Sequence, residues 1–294
     1  MSIFQGCGTA IVTPFRNGEV DFNALGRLID FQIAEGIDAI VACGSTGEGA
    51  TLSPAEKKAV IAFMVQCAAG RVPVIAGTGG NDTAAVIAQS IAAQNAGADA
   101  LLVVTPYYNK TSQRGLVAHY AAVAATVTIP IIIYNVPSRT GLNVLPATMR
   151  ELMQIPNVVG TKEASGNIEQ IVNLAALCPD CELYAGNDDH VLPILSVGGK
   201  GVISTVSNLI PRDMHQLCTA FFAGDIEKAR ALQFKILPIW KAAFSDVNPI
   251  PLKAMMEMAG HCTGELRLPL IPADAANMAK IKAALQNYDL ILGA

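Results

Sequence analysis

Eight times between Gly8 and Phe222 a short apolar run gives way to a longer amphipathic one, and this alternation limits the fold more than any other feature. The apolar runs are Gly8–Val12, Asp38–Cys43, Pro73–Gly77, Asp99–Thr105, Ile129–Asn135, Asn157–Lys162, Glu182–Gly186 and Lys200–Thr205. Each is rich in valine and isoleucine, and most lack polar–apolar alternation, as strands buried on both faces do. Helical patterns occupy Phe22–Glu35, Pro54–Ala69, Thr83–Ala96, Gln113–Thr126, Pro146–Gln154, Ile168–Leu177, Asp189–Val197 and Pro211–Phe222. Ser53 before Pro54 and Asn81-Asp82 before Thr83 read as helix starts, while Gly36, Gly70 and Gly97 stand where helices should stop. Gly36-Ile-Asp-Ala-Ile-Val echoes faintly in Gly97-Ala-Asp-Ala-Leu-Leu. Eight strand–helix units in about 225 residues predict an α/β fold, a closed (β/α)8 TIM barrel; a doubly wound sheet suits five or six.

After Gly224 the strand signal stops. Asp225–Phe244, Pro249–Gly260 and Pro272–Gln286 read as three helices, joined by Ser245–Asn248 and a turn at Cys262-Thr263-Gly264. The expected division is a catalytic barrel over 1–224 and a C-terminal helical domain over 225–294.

Composition narrows the function classes. Apolar residues make up 52% of the chain and charged ones 15%, which excludes disorder and leaves few charges to coat a monomer. Buried contacts between subunits are therefore expected. A net charge of −4 with no basic run argues against nucleic-acid binding. Met1–Gln5 has neither a charged nor an apolar leader region, so no signal peptide is expected. The uncharged stretch Gly115–Ser138 is broken by His119, Tyr120 and Pro130, and reads as a buried helix and strand rather than a membrane span. Seven scattered cysteines fit a reducing cytoplasm, and Cys178-Pro-Asp-Cys181, with no second pair, reads as an inert loop.

Catalytic groups of such barrels sit at the carboxyl ends of the strands. There the sequence places Gly44-Ser-Thr-Gly-Glu48, Gly77-Thr-Gly-Gly80, Pro106-Tyr-Tyr-Asn109, Tyr134-Asn-Val-Pro-Ser-Arg139, Thr161-Lys-Glu-Ala-Ser-Gly166 and Gly186-Asn-Asp-Asp189. Lys162 closes an apolar strand, where burial lowers an amine's pKa and readies it to attack a carbonyl. It reads equally as a strand-end lysine reaching solvent or pairing with Glu163. Tyr134 is a proton shuttle or a core tyrosine. Ser45 and Thr46 offer hydroxyls and turn amides to a carboxylate, or simply close a tight turn. Tyr107 and Tyr108 read as platform, relay or interface anchor. Arg139 suits bidentate capture of a carboxylate, or lies idle at the surface. Gly186 closes the seventh strand at the same rim and is counted with the substrate-binding positions. Asp188-Asp189-His190 reads as helix capping rather than a metal site, and Gly77–Gly80 lacks the remaining glycines of a nucleotide loop.

Taken together, Thr13-Pro14-Phe15, Gly44–Glu48, Ala76–Gly79, Thr105–Asn109, Tyr134–Gly141, Lys162–Gly166 and Gly201–Ser204 resemble the dihydrodipicolinate synthase family of pyruvate-dependent class I aldolases over essentially the whole chain. The Gly44 stretch is shared across the wider superfamily; the Tyr134 and Lys162 stretches are the specific ones. The resemblance implies that Lys162 forms an imine with pyruvate. The enamine derived from it then attacks L-aspartate 4-semialdehyde to give 4-hydroxy-tetrahydrodipicolinate. It implies a proton relay from Tyr134 through Ser45 to Tyr108 lent by a neighbouring subunit. Thr46 then holds the pyruvate carboxylate, Ile203 lines pyruvate, and Arg139 receives the carboxylate of the semialdehyde. No cofactor or metal is implied beyond the covalent imine. The implied assembly is a homo-oligomer, a tetramer built as a dimer of dimers.

Two departures stand out. The relay position is usually threonine and here is Ser45, a form also found in the sialic-acid lyase branch. A lyase cleaving sugar acids is thus the main alternative, and a non-catalytic ligand-binding barrel a further one. In lysine-inhibited members an interface cleft binds L-lysine. Asn81 and Tyr107 match that cleft, but Gly49, Pro54, Lys57 and Ala85 replace its serine, two histidines and glutamate.

Overall fold

The computed structural model describes residues 2–290. Met1 and the last four residues of the expected 225–294 unit lie outside the described residues.

Eight parallel strands close into a barrel: β1 (Gly6–Ala10), then, beyond a small hairpin of β2 (Phe15–Arg16) and β3 (Glu19–Val20), β4 (Ala39–Ala42), β5 (Val74–Gly77), β6 (Ala100–Val104), β7 (Ile131–Asn135), β8 (Val158–Glu163), β9 (Glu182–Ala185) and β10 (Gly201–Ser204). Helices follow them: α1 (Phe22–Ala34), α2 (Pro54–Ala68), α3 (Thr83–Asn95), α4 (Gln113–Ala124), the single turn α5 (Pro137–Thr140), α6 (Pro146–Leu152), α7 (Ile168–Leu177), α8 (Val191–Ser196) and α9 (Pro211–Phe222). Three more come last: α10 (Ile226–Ala243), α11 (Ile250–Met258) and α12 (Ala275–Asn287). Among the described residues no helix is long and apolar enough to cross a membrane.

The eight expected strands are all present, with shifted ends. The first begins at Gly6 rather than Gly8, because Gly6 meets Gly201 where a Cβ on Gly201 would lie 1.8 Å from the Gly6 carbonyl oxygen. Only glycine permits that approach. At its other end Val12 leaves the ladder and donates to Asn208 Oδ1 at 3.0 Å. The expected helix Asp189–Val197 divides into a 3₁₀ turn, Asp188–His190, and α8. The hairpin β2–β3 and the turn α5 were not read from the sequence. Ser53 forms a full capping box with Glu56, and Asp82 caps α3.

The missing alternation now has its reason. Successive side chains of a strand point to opposite faces, and here both faces are apolar. Ile132 and Tyr134 point into the barrel with Phe4, Leu102, Tyr184 and Ile203. Ile131 and Ile133 join the outer layer between barrel and helices. Phe4 stacks on Tyr184 with ring centroids 4.4 Å apart.

The C-terminal segment is clamped to the barrel rim by charge. Lys253 Nζ on α11 lies 2.5 Å from Glu48 Oε1, with both side chains wholly buried, and donates to the Glu265 carbonyl at 2.7 Å. The Arg267 backbone N–H donates to Glu48 Oε2 at 3.1 Å, and its guanidinium reaches the Thr51 carbonyl and Glu56. Both cations also sit over the Phe15 ring, at 4.1 and 4.4 Å. Removing one partner of a buried ion pair costs about 3–5 kcal/mol, since the other charge is stranded. Lys253→Met should therefore lower urea stability by about that amount. Glu48→Gln combined with Lys253→Met should lose clearly less; equal losses would show that packing, not charge, holds the clamp.

Candidate active site

Register brings the central pair together. In the β7–β8 ladder Tyr134 lies directly opposite Lys162, and both side chains enter the barrel at its carboxyl end. Lys162 is 5% exposed, and its Nζ lies 4.5 Å from the centroid of the Tyr134 ring. Glu163, one residue on, takes the other face, as the pleat requires. Its carboxylate accepts from Asn135 Nδ2 at 3.0 Å and from the Ser165 N–H at 2.7 Å. The reading in which Lys162 pairs with Glu163 is thereby excluded.

Burial pushes the Lys162 ammonium down to about 8; the carboxylate of Asp188 opposes that shift and the Arg139 guanidinium adds to it. Burial pushes the Tyr134 phenol up to about 12, against the smaller opposing pulls of Arg139 and of a hydrogen bond with Ser45. The arrangement is an amine far more readily deprotonated than an ordinary lysine beside a phenol that keeps its proton. These are the states a nucleophile and a proton donor need.

The turn after β4 supplies the hydroxyls. Ser45 is exposed at the rim, whereas Thr46 is buried, with its Oγ1 3.4 Å from Thr205 Oγ1 and accepting from Asn248 Nδ2 at 2.9 Å. α5 carries Arg139, which donates to the Asn248 carbonyl at 3.3 Å. A cavity of about 210 Å³ gathers Ser45, Thr46, Tyr134, Arg139, Lys162 and Gly186 on one wall system. Six of the eight expected site residues therefore meet. Ile203 lies in the inner barrel core rather than on this cavity wall. Tyr108 points away: it is 91% exposed and held at φ 69°, a left-handed conformation unusual for a bulky residue.

Asp188 corrects the sequence reading. It does not cap its own turn. Its Oδ2 accepts from the Thr205 and Val206 N–H groups, both at 3.1 Å, on the next barrel strand's exit. That placement sets a buried carboxylate where it acts on Lys162. Asn248 was read only as part of the joint between two C-terminal helices, yet it borders the cavity.

The profile of the Dihydrodipicolinate synthetase family matches residues 3–288. The chain belongs to this family. It is 53% identical to the 4-hydroxy-tetrahydrodipicolinate synthase of Caldicellulosiruptor bescii over 291 residues, which is 99% of each chain. Among solved structures, dihydrodipicolinate synthase from Aquifex aeolicus superposes with a TM-score of 0.97 at 43% identity, covering 99% of this chain and 100% of that one. The enzyme from Cyanidioschyzon merolae, solved with lysine bound, superposes at 0.96 with 36% identity, over 99% and 100% of the two chains. The barrel and C-terminal helices observed here are thus shared with these solved structures.

The lowered pKa gives a substrate-free test. A lysine becomes nucleophilic as pH rises past its own pKa. At pH 7 a value near 8 leaves roughly a tenth of the amine neutral, against about three parts in ten thousand for an ordinary lysine. Acetylation of Lys162 by trace acetic anhydride, followed by mass spectrometry, should rise with pH through a midpoint near 8. Surface lysines should still be rising above pH 10. A midpoint shared with the surface lysines would mean that burial does not tune this amine.

Proposed function

We infer that the chain is a lyase condensing pyruvate with L-aspartate 4-semialdehyde to 4-hydroxy-tetrahydrodipicolinate, a step of lysine and diaminopimelate biosynthesis in the cytoplasm. The observation that carries this reading is the desolvated Lys162 amine beside Tyr134 in a barrel of this family. The Lys162 amine adds to the pyruvate ketone, and loss of water gives the imine. Loss of a methyl proton then gives the enamine, whose carbon attacks the aldehyde of the second substrate. The amine of that substrate adds to the imine carbon, expels Lys162 and closes the ring. Tyr134 donates and recovers the protons of imine formation and release, and Ser45 passes them on. Thr46 holds the carboxylate of pyruvate, Arg139 that of the semialdehyde, and Gly186 and Ile203 shape the wall and floor. No cofactor is needed, because the imine itself is the electron sink.

The geometry of Tyr108 supports a shared site. A tyrosine nine-tenths exposed in a strained conformation suits a side chain offered to a second subunit, where it would complete the relay. Ile168 and Val172 stand one turn apart on α7 and are both exposed, which suits a second contact and hence a dimer of dimers. The barrel over 1–224 carries the chemistry, and the unit over 225–294 closes the rim.

The deciding experiment is borohydride reduction with pyruvate. It should label Lys162 alone and no residue of Lys162→Ala, and turnover should require L-aspartate 4-semialdehyde. Labelling elsewhere would move the nucleophile. Cleavage of N-acetylneuraminate in place of the condensation would assign the chain to the sugar-acid branch.

Feedback by L-lysine should be absent. The cavity of about 280 Å³ beside the site is lined by Gly49, Lys57 and Tyr107. A side chain at 49 would collide with the Cys43 carbonyl, 2.1 Å from a built Cβ. Lys57, held by Gln89 at 3.0 Å, brings a cation toward a cationic ligand. Initial rates at sub-saturating substrates should be unchanged by millimolar L-lysine. Half-inhibition below about 1 mM, equivalent to roughly −4 kcal/mol of binding, would overturn this reading of the cleft.

A further inference from the structure

We propose that Asn248, in the joint before α11, is a positioning residue that sets the hydroxyl of Thr46 and ties together the two carboxylate-binding corners of the site. The inference rests on the roles proposed above for Thr46 and Arg139. Four observations carry it. Asn248 is 6% exposed, and its Nδ2 donates to Thr46 Oγ1 at 2.9 Å. Its backbone carbonyl accepts from Arg139 Nη2 at 3.3 Å. It lines both cavities that meet at Ser45, Tyr134 and Arg139. Its Oδ1 is buried and has no hydrogen-bond partner among the described residues.

The hydrogen-bond inventory turns these contacts into a function. A threonine hydroxyl has one proton to give and two lone pairs to accept with. Because Asn248 donates to the oxygen, that proton remains available for an anion. The opposite amide orientation would place Oδ1 on Thr46 and draw the hydroxyl proton into the protein. It would pair Oδ1 and move the two N–H groups of Nδ2 into the place that Oδ1 now occupies. The observed orientation leaves Thr46 free to donate to a carboxylate. The residues are 202 positions apart, so the C-terminal segment takes part in binding the first substrate.

The test is a double-mutant cycle with borohydride trapping of pyruvate as the binding readout and steady-state KM for both substrates beside it. Asn248→Ala should raise the pyruvate concentration for half-maximal trapping about tenfold, as expected for one lost hydrogen bond to a group that binds an anion. The KM for L-aspartate 4-semialdehyde should change far less, because the Arg139 contact is to backbone. On a Thr46→Val background the same substitution should have almost no further effect on pyruvate. Asn248→Asp, nearly the same shape, guards against a folding defect. Ionised, it can only accept, and the pyruvate KM should rise; as pH falls toward 4 the protonated acid regains a donor and the KM should approach that of unmutated protein measured at the same pH. An equal pyruvate shift with and without Thr46, or equal shifts for both substrates, overturns the assignment. Absence of trapping in the unmutated protein removes the pyruvate reading itself, a separate and distinguishable failure.

Discussion

Two charges removed from water, Glu48 and Lys253, hold the two parts of the molecule in one working geometry. Neither can be relaxed alone, because the remaining charge would be stranded in an apolar layer. Glu48 ends the turn that carries Ser45 and Thr46, and it does so at φ 51°, in a region that a non-glycine residue enters only when its surroundings compel it. The compulsion here is the pair with Lys253 and the N–H of Arg267. Lys253 in turn anchors α11, and the residues immediately before α11 include Asn248. One ion pair thus fixes both the turn and the segment that meets it across the cavity.

Electrostatics around Lys162 works in the opposite direction. The clamp neutralises its charges, whereas the site leaves an imbalance. Desolvation disfavours the ammonium, Arg139 disfavours it further, and Asp188 restrains both effects. Without the buried carboxylate the amine would be less basic still, and a less basic amine is a poorer nucleophile and a better leaving group. The same guanidinium that lowers Lys162 also pulls the Tyr134 phenol downward, against burial. A single cation therefore moves phenol and amine in the same direction, and it is burial, which raises one and lowers the other, that sets them apart. The carboxylate that opposes it is held by two backbone N–H groups at the exit of β10, so its position depends on the barrel closing.

The parts legible in the sequence are those governed by local rules. Apolar runs marked the eight strands because both faces of each are buried, and the same property hid which residues point inward. Lys162 and Tyr134 were legible because a polar group closing an apolar strand is anomalous by itself. Asn248 and Asp188 were not. An asparagine before a proline reads as a turn, and an aspartate before a short helix reads as a cap. Their importance lies in partners about 200 and 20 positions away, which only barrel closure brings near. The strand end at Gly6 was missed for the same reason, since its constraint is the Gly201 backbone across the seam.

The exchange of threonine for Ser45 is best understood through the clamp. A β-branched side chain largely fixes its own χ1, whereas serine has three accessible rotamers and pays entropy to be held in one. In this chain the order must come from outside the residue. Ser45 is bracketed by Cys43, also at positive φ, and by Thr46, pinned through Asn248, with Glu48 locked three residues on. The backbone is therefore restrained on both sides, which narrows the rotamers open to the side chain. The entropy lost in ordering one small side chain is a fraction of a hydrogen bond's worth. The relay proposed for Ser45 would need this turn to stay rigid, which ties that proposal to the distant Lys253 as well as to Glu48.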